Sequence, residues 1–224
     1  MESAEKRKVK RIFSRYVSPD VYSELLDNPA AADLGGSRRE MSVLFSDLRG
    51  FTTFSESRAP EEVIEQLNEY FAAMVEVVFA HRGTVDKFVG DMIMALFGAP
   101  LEDSDHADNA VRCALAMQRQ LTRLNSRWQQ QGRPELASGI GINSGEMVAG
   151  NLGSDKIQSY TVIGDNVNLG ARIESLCKEF KAEILISEFT ESRLSSEHSA
   201  RELGEVTVKG KTQPVRIFQI PLAD

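Results

Sequence analysis

Cysteine and histidine are scarce in this chain: 224 residues include two cysteines and three histidines. Cys113 and Cys177 lie in helix-like amphipathic stretches and read as small core residues of a reducing compartment, which excludes a disulfide framework. His81, His106 and His198 are scattered, and none has zinc-ligand spacing. No Ser-His-Asp or Cys-His set is evident, so nothing points to a covalent nucleophile. Long apolar runs are missing as well. No stretch is long enough to span a bilayer and no signal-peptide pattern is seen, so the expectation is a cytoplasmic chain with no membrane segment within it. Positive charge is not in excess: the formal net charge is −7, which excludes nucleic acid as a partner of the surface as a whole. Internal repeats and low-complexity tracts are absent too. The 42% hydrophobic content is ordinary for a globular core and suits one large domain, with or without an appended arm.

The first segment is such an arm. Lys6, Arg7, Lys8, Lys10, Arg11 and Arg15 make it basic, and Val9, Ile12, Phe13, Tyr16 and Val17 recur at helical spacing. Ser18-Pro19-Asp20 ends this helix and can start another carrying Val21, Tyr22, Leu25 and Leu26. Two readings stay open: a surface helix packed on the domain, or the end of a stem that pairs with its twin and joins an upstream sensor. Asn28 to Gly36 reads as a linker, so the arm is placed at residues 1–37 and the main domain at 38–224.

From Met41 onward, strand and helix patterns alternate. Strands are expected at Met41 to Asp47, Thr84 to Val89, Met92 to Phe97 and Ala137 to Ile142, with shorter ones near Ile184 to Ile186, Glu205 to Lys209 and Val215 to Ile220. Helices are expected at Pro60 to Phe79, Asp105 to Trp128, and from a capping Asp165 to about Phe180. Gly90-Asp91 reads as a tight hairpin. This order predicts an α+β fold with a ferredoxin-like βαββαβ core: a mostly antiparallel sheet, helices packed on one face, and extra C-terminal strands.

Two aspartates end apolar strands. Asp47 lies in Phe45-Ser-Asp-Leu-Arg-Gly-Phe-Thr52, and Asp91 in Thr84-Val-Asp-Lys-Phe-Val-Gly-Asp-Met-Ile-Met94. An acid at a core-strand end must be solvated, paired or bound to a cation. Each alone can cap a turn. Together, beside the Gly50-Phe51-Thr52 turn with its backbone N–H groups, they suggest two divalent ions and a polyphosphate. Lys87 shares a strand face with Val85 and Val89 in this reading; it is either solvated or a donor to a purine ring. Asn168 and Arg172 lie one helical turn apart, beside the core stripe of Leu169, Ile173, Leu176 and Phe180. They form either a solvated face or a grip on a ribose and a phosphate. Lys209, in Val208-Lys-Gly-Lys211, and Lys156, in a polar loop, are weaker cationic candidates.

In combination, the segments FSDLRGFT, TVDKFVGDMIMALFG, GDNVNLGAR and VKGK resemble the class III adenylate/guanylate cyclase catalytic domain, of bacterial adenylate cyclase type, from about Arg38 to Ile220. Phe13 to Leu26 resembles the lead-in of bacterial members that follow a regulatory domain. The resemblance implies that Asp47 and Asp91 bind two Mg²⁺ or Mn²⁺ with help from the Leu48 carbonyl. Phe51 and Thr52 would cradle the triphosphate. Lys87 and Thr161 would read adenine, Asn168 would orient the ribose and Arg172 would stabilise charge at the α-phosphate. Lys209, with Lys156, would hold the terminal phosphates. In that family the acids come from one chain and the base-reading groups from the other. Since all are present here, a homodimer with two equivalent composite sites is implied, converting ATP to 3′,5′-cyclic AMP and pyrophosphate. Thr161 stands where ATP-using relatives often carry Asp, which bears on discrimination against GTP. A guanylate cyclase, or a non-catalytic nucleotide-binding or dimerisation module derived from one, are the alternatives. A diguanylate-forming palm domain is disfavoured by Val89-Gly90-Asp91-Met92. Gly170, where relatives often have Ala, costs about 1 kcal/mol of helix propensity without an evident return.

Overall fold

The computed structural model describes residues 35–154, 156–207 and 213–222. The expected helical arm and Lys209 lie outside the described residues. The described residues form, in order, β1 (Gly35–Leu48), α1 (Phe51–Glu56), α2 (Pro60–Ala80), β2 (Thr84–Val89), β3 (Met92–Phe97), α3 (His106–Gln130), β4 (Ser138–Gly153), β5 (Gln158–Ile163), α4 (Asp165–Phe180), β6 (Ile184–Ser187), α5 (Glu188–Glu191), β7 (Arg201–Val206) and β8 (Val215–Gln219).

The strands form one eight-stranded sheet in the order β2-β3-β1-β4-β6-β8-β7, with β5 paired to β4. Among the described strands only the β4–β6 pair is parallel. The expected βαββαβ core is β1-α2-β2-β3-α3-β4. Alternation along β1 sorts the two faces. Leu44 and Leu48 join the cluster with Tyr70, Met74 and Val78 of α2 and Val111, Met117 and Trp128 of α3. Met41, Val43 and Phe45 face the other way, toward Met94, Met147 and Val162. α2 and α3 therefore cover one face, as expected. α4, which lies outside that core, packs against β4, β1 and β6 on the opposite face through Leu169, Ile173 and Cys177.

Several boundaries moved. β1 begins at Gly35, so the last residues of the stretch read as linker are strand, paired with Asn151 and Gly150 of β4. β4 runs eleven residues past Ile142, and β5 follows it as an antiparallel arm. Glycines and polar residues in 143–153 hid this arm, because its pairing comes from β1 and β5 rather than from an apolar face of its own. Asp165 is the first helical residue of α4 rather than its cap; Gly164 holds the cap position with no side-chain bond. Ile64 of α2 is 57% exposed, while Gln66 is buried and donates to the Pro134 carbonyl at 2.7 Å. Both cysteines are buried free thiols.

Gly170 has its explanation here. A Cβ at this position would lie 2.8 Å from Val43 Cγ1 and 3.1 Å from the Phe45 ring. The glycine lets α4 sit close on β1, which offsets its helix penalty.

Candidate active site

Asp47 is the penultimate residue of β1, and Asp91 sits in the two-residue turn between β2 and β3. Gly90, at φ 63°, supplies the backbone conformation that closes the turn. β1 and β3 are hydrogen-bonded neighbours with Ser46 opposite Ile93, so the two acids meet at one end of the sheet. Their carboxyls are close enough to interact directly. Burial first, and Asp91's charge and hydrogen bond after it, push Asp47 up to about 6, while a hydrogen bond from the Leu48 backbone lowers it. Two acids held this close with only hard oxygen donors suit Mg²⁺ or Mn²⁺, which would neutralise the repulsion that now raises Asp47. The residues present thus fit a divalent ion.

This geometry has a measurable consequence. The folded chain holds Asp47's proton more tightly than the unfolded chain does. Its stability therefore falls as pH rises from about 4 to about 6, and the penalty is complete above that window. Asp47→Asn removes the penalty. At pH 7 the metal-free variant is expected to melt about 3 °C higher than the parent, a figure already discounted for the half-exposed site. Added Mn²⁺ is expected to raise the melting temperature of the parent but hardly that of the variant. A variant that melts lower without metal would show that the pair is not strained.

Immediately after β1, Gly50 adopts φ 69° and opens α1, whose first N–H groups have no intrahelical partner. Phe51 turns its ring inward against the main core, 5.8 Å from the Phe54 ring, and Thr52 is exposed. What this turn can offer a phosphate is backbone, not side chain. Arg49 braces it: the Arg49 N–H donates to the Ala137 carbonyl at 2.7 Å and its guanidinium donates to the Ala182 carbonyl.

β2 differs from the expected simple alternation. The β2–β3 register shifts between Val85 and Lys87, so Val85 pairs with Ala95 but Lys87 pairs with Met94. Asp86 is the extra residue of a bulge. Val85 consequently packs against the α2/α3 core, and Lys87 shares the other face with Val89 rather than with Val85. From there Lys87 Nζ donates to Thr161 Oγ1 of β5 at 3.0 Å, joining residues 74 apart in sequence. Thr161 also borders a cavity of about 460 Å³ lined by Gly35, Gly36, Gly150 and Gly153, within the usual size of small-molecule sites.

On α4, Asn168 is exposed and Arg172 is half-buried. Among the described residues, Arg172 Nη1 is buried without a hydrogen-bond partner. Glu174, two residues on, lies about 200° round the helix from Arg172. It faces the sheet, where burial, then the charge of Asp47 and later that of Asp91, push it up to about 7 against the pull of Arg49. Lys156 is exposed in the β4–β5 turn, with its backbone N–H 3.3 Å from Ser154 Oγ.

The structure thus brings Asp47 to Asp91 and Lys87 to Thr161, and puts Asn168 and Arg172 on one helix. Asp86, Glu174 and Arg49 escaped the sequence reading. Asp86 could have been noticed as an acid inside an apolar strand. Glu174 and Arg49 carry no local signal, because their role comes from contacts between distant segments. A separate cluster of Asp108, Glu197 and His198 has metal-ligand spacing among the described residues. It involves neither Asp47 nor Asp91, and Arg112 already donates to Glu197 from its Nε at 2.7 Å.

Comparison with known proteins places this geometry. The model of the adenylate and guanylate cyclase catalytic domain family matches residues 36–221. Adenylate cyclase 1 of Rhizobium meliloti is 35% identical over 208 residues, covering 93% of this chain and 31% of that protein. The adenylate cyclase of Anabaena cylindrica is 38% identical over 191 residues, 82% of this chain and 37% of that protein. The chain therefore spans about a third of the length of the curated relatives it matches. Among solved structures, the guanylyl cyclase Cya2 is 43% identical with a TM-score of 0.78, covering 84% of this chain and 94% of that one. The adenylyl cyclase CyaB from P. aeruginosa is 37% identical with the same TM-score of 0.78, covering 85% and 98%. With both adenylyl and guanylyl relatives at this level of likeness, and the two-acid strand ends in place, the chain belongs to the adenylate and guanylate cyclase catalytic domain family.

Proposed function

We propose that this chain forms 3′,5′-cyclic AMP and pyrophosphate from ATP, at composite sites between two copies of itself. The observation that carries the reading is the Lys87–Thr161 pair, a donor cation and a hydroxyl held 3.0 Å apart. Adenine presents a ring-nitrogen acceptor beside an amine donor, and this pair is its complement. A guanine reader would want an acceptor where Lys87 stands.

The remaining residues take roles by their chemistry. Asp47 and Asp91 would hold Mg²⁺ or Mn²⁺, with the Leu48 carbonyl assisting. When bound, such ions lower the pKa of the ribose 3′-hydroxyl and offset phosphate charge. The N–H groups at Phe51 and Thr52 would face the triphosphate, and Lys209 and Lys156 its terminal phosphates. Asn168 would orient the ribose so that its 3′-oxygen lies in line with the α-phosphorus. Arg172, with an unpartnered Nη1, would meet the charge that develops there. The Glu174 side of α4 faces this chain's own acids, and in such a dimer the Arg172 side would face the neighbouring chain. Exposed Phe88, Val89, Leu152, Ile157 and Ile163 flank the base-reading groups and suit burial between two copies. No helix among the described residues is long and apolar enough to cross a membrane, and a cytoplasmic setting accords with ATP as substrate. The catalytic unit is assigned to residues 38–224. The greater length of the relatives accords with a regulatory domain upstream of the basic arm.

The test is turnover of ATP and GTP in parallel, with Mg²⁺ and with Mn²⁺, at several protein concentrations. Cyclic AMP is expected, with specific activity rising as protein concentration rises. A guanylate cyclase is the second reading, favoured by the 43% identity to a guanylyl cyclase; cyclic GMP as main product would establish it. Nucleotide bound with neither product formed would leave a binding module.

A further inference from the structure

Asp86 touches both base-reading residues and is itself hidden. Its side chain is 1% exposed. The bulge in β2 turns it toward β5, where Asp86 Oδ2 accepts the Thr161 hydroxyl proton at 2.8 Å. The same oxygen lies 3.4 Å from Lys87 Nζ, and Lys87 donates to Thr161 Oγ1 at 3.0 Å. The three side chains form a closed triangle. Asp86 Oδ1 is buried and, among the described residues, has no hydrogen-bond partner. A buried carboxylate with one oxygen unsatisfied is costly, and burial raises the acid's pKa while Thr161 and Lys87 lower it. A position that bears such a cost without adding to the core calls for another role.

We infer that Asp86 is a positioning residue that sets the hydrogen-bond polarity of Thr161 and thereby makes the site select adenine over guanine. The inference rests on the base-reading role proposed for Lys87 and Thr161. The reasoning is a count of protons and lone pairs. A threonine hydroxyl has one proton and two lone pairs. A carboxylate paired with the Lys87 ammonium 3.4 Å away only accepts, so the hydroxyl proton is committed to Asp86. One lone pair takes the Lys87 N–H. The lone pair left over can only accept. Adenine puts an amine donor at this edge, whereas guanine puts a carbonyl oxygen there. Thr161 therefore bonds the first and repels the second. Lys87 is set in the same way: of its three N–H groups, one goes to Thr161 and one toward Asp86, leaving one for the ring nitrogen. Without Asp86, the hydroxyl turns to donate or accept as the ligand requires, and Thr161 no longer discriminates. Asp86 thus gives a neutral hydroxyl the one-way character that a carboxylate would have by itself.

The test compares kcat/KM for ATP and GTP in the parent, in Asp86→Ala and in Thr161→Val. It also compares Kd for 3′-deoxy-ATP and 3′-deoxy-GTP, which lack the attacking hydroxyl, in the presence of Mn²⁺. Asp86→Ala is expected to lower the ATP-to-GTP ratio about tenfold in both readouts, the worth of one hydrogen bond. Thr161→Val should do the same, and the double variant no more, since both remove one interaction. Asp86→Asn keeps the shape and can still accept through its carbonyl, so it should lose less, and it covers the case of an alanine variant that does not fold. An Asp86→Ala enzyme that loses ATP and GTP turnover equally, at an unchanged ratio of Kd values, overturns the inference and leaves the adenylate cyclase reading standing. A parent chain that forms no product but prefers 3′-deoxy-ATP, with that preference lost in Asp86→Ala, overturns the activity and keeps the inference. A parent that prefers GTP in both readouts overturns both.

Discussion

Asp47→Ala chains and Arg172→Ala chains, each inactive alone, are expected to recover about a quarter of the parental rate when mixed in equal amounts. In a random mixture about half the dimers are mixed, and each mixed dimer carries one intact site of its two. The single losses should be large. Removing one acid of a two-acid metal site is expected to lower turnover by a factor on the order of 10³, and removing a guanidinium that meets transition-state charge by about 10² to 10³. They should also differ in kind. Arg172→Ala should lower kcat far more than it raises the nucleotide Kd, because developing charge is what it is proposed to meet. Recovery on mixing is the decisive readout, since a site built within one chain cannot be restored by another. Mixed dimers that stay inactive, with their formation verified by a tag on each chain, would place Asp47 and Arg172 in one and the same site.

The second large effect concerns stability. Gly141→Ala is expected to destabilise the chain by about 3 kcal/mol or more and to lower its melting temperature by roughly 10 °C. A Cβ there would lie 2.1 Å from the Glu174 backbone nitrogen and 2.5 Å from its Cα. Backbone cannot swing aside as a side-chain tip can. α4 is held against the sheet by Leu169 and Ile173, both fully buried, so it cannot retreat without opening that contact. Gly139→Ala is the control. Its added methyl would meet Glu174 Oε1, a side-chain tip that can swing aside, at 3.1 Å and Cys177 Cβ at 3.0 Å, a far milder contact than the 2.1 Å at Gly141, so it should cost less. Urea denaturation of the three proteins ranks them. An unchanged midpoint for Gly141→Ala would mean that α4 is free to shift on the sheet. Asn168 and Arg172 ride on this helix, so a shift that spares stability would still displace both and lower turnover.

Glu174 shows why part of the site was hidden. Nothing in Ile173-Glu-Ser-Leu176 sets this acid apart from any other helical glutamate. Its raised pKa comes from burial against β4 and from the charges of Asp47 and Asp91, which are far away in sequence. Asp86 was closer to legible, as an acid inside an apolar strand. Strict alternation, however, placed it on the face opposite Lys87, and only the register shift opposite Ala95 and Met94 puts both near Thr161. Asp47 and Asp91 were legible because a charge at the tip of an apolar run stands out wherever the run folds.

The sequence by itself determined the elements whose patterns are local. The helix from Pro60 has an apolar stripe and a proline at its first turn, and the hairpin has glycine where positive φ is needed. The six core elements follow in an order that admits few packings, and the four motif segments named the family. The tertiary structure alone decided what depends on neighbours: the length of β4, the existence of the β5 arm, the bulge at Asp86, and the face on which α4 lies. The physical reason is the range of the forces involved. Turn chemistry and hydrophobic periodicity act over a few residues and are written in consecutive letters. Strand pairing, helix seating on Gly141 and Gly170, and the triangle of Asp86, Lys87 and Thr161 satisfy hydrogen bonds and close contacts between segments whose separation along the chain carries no record of them.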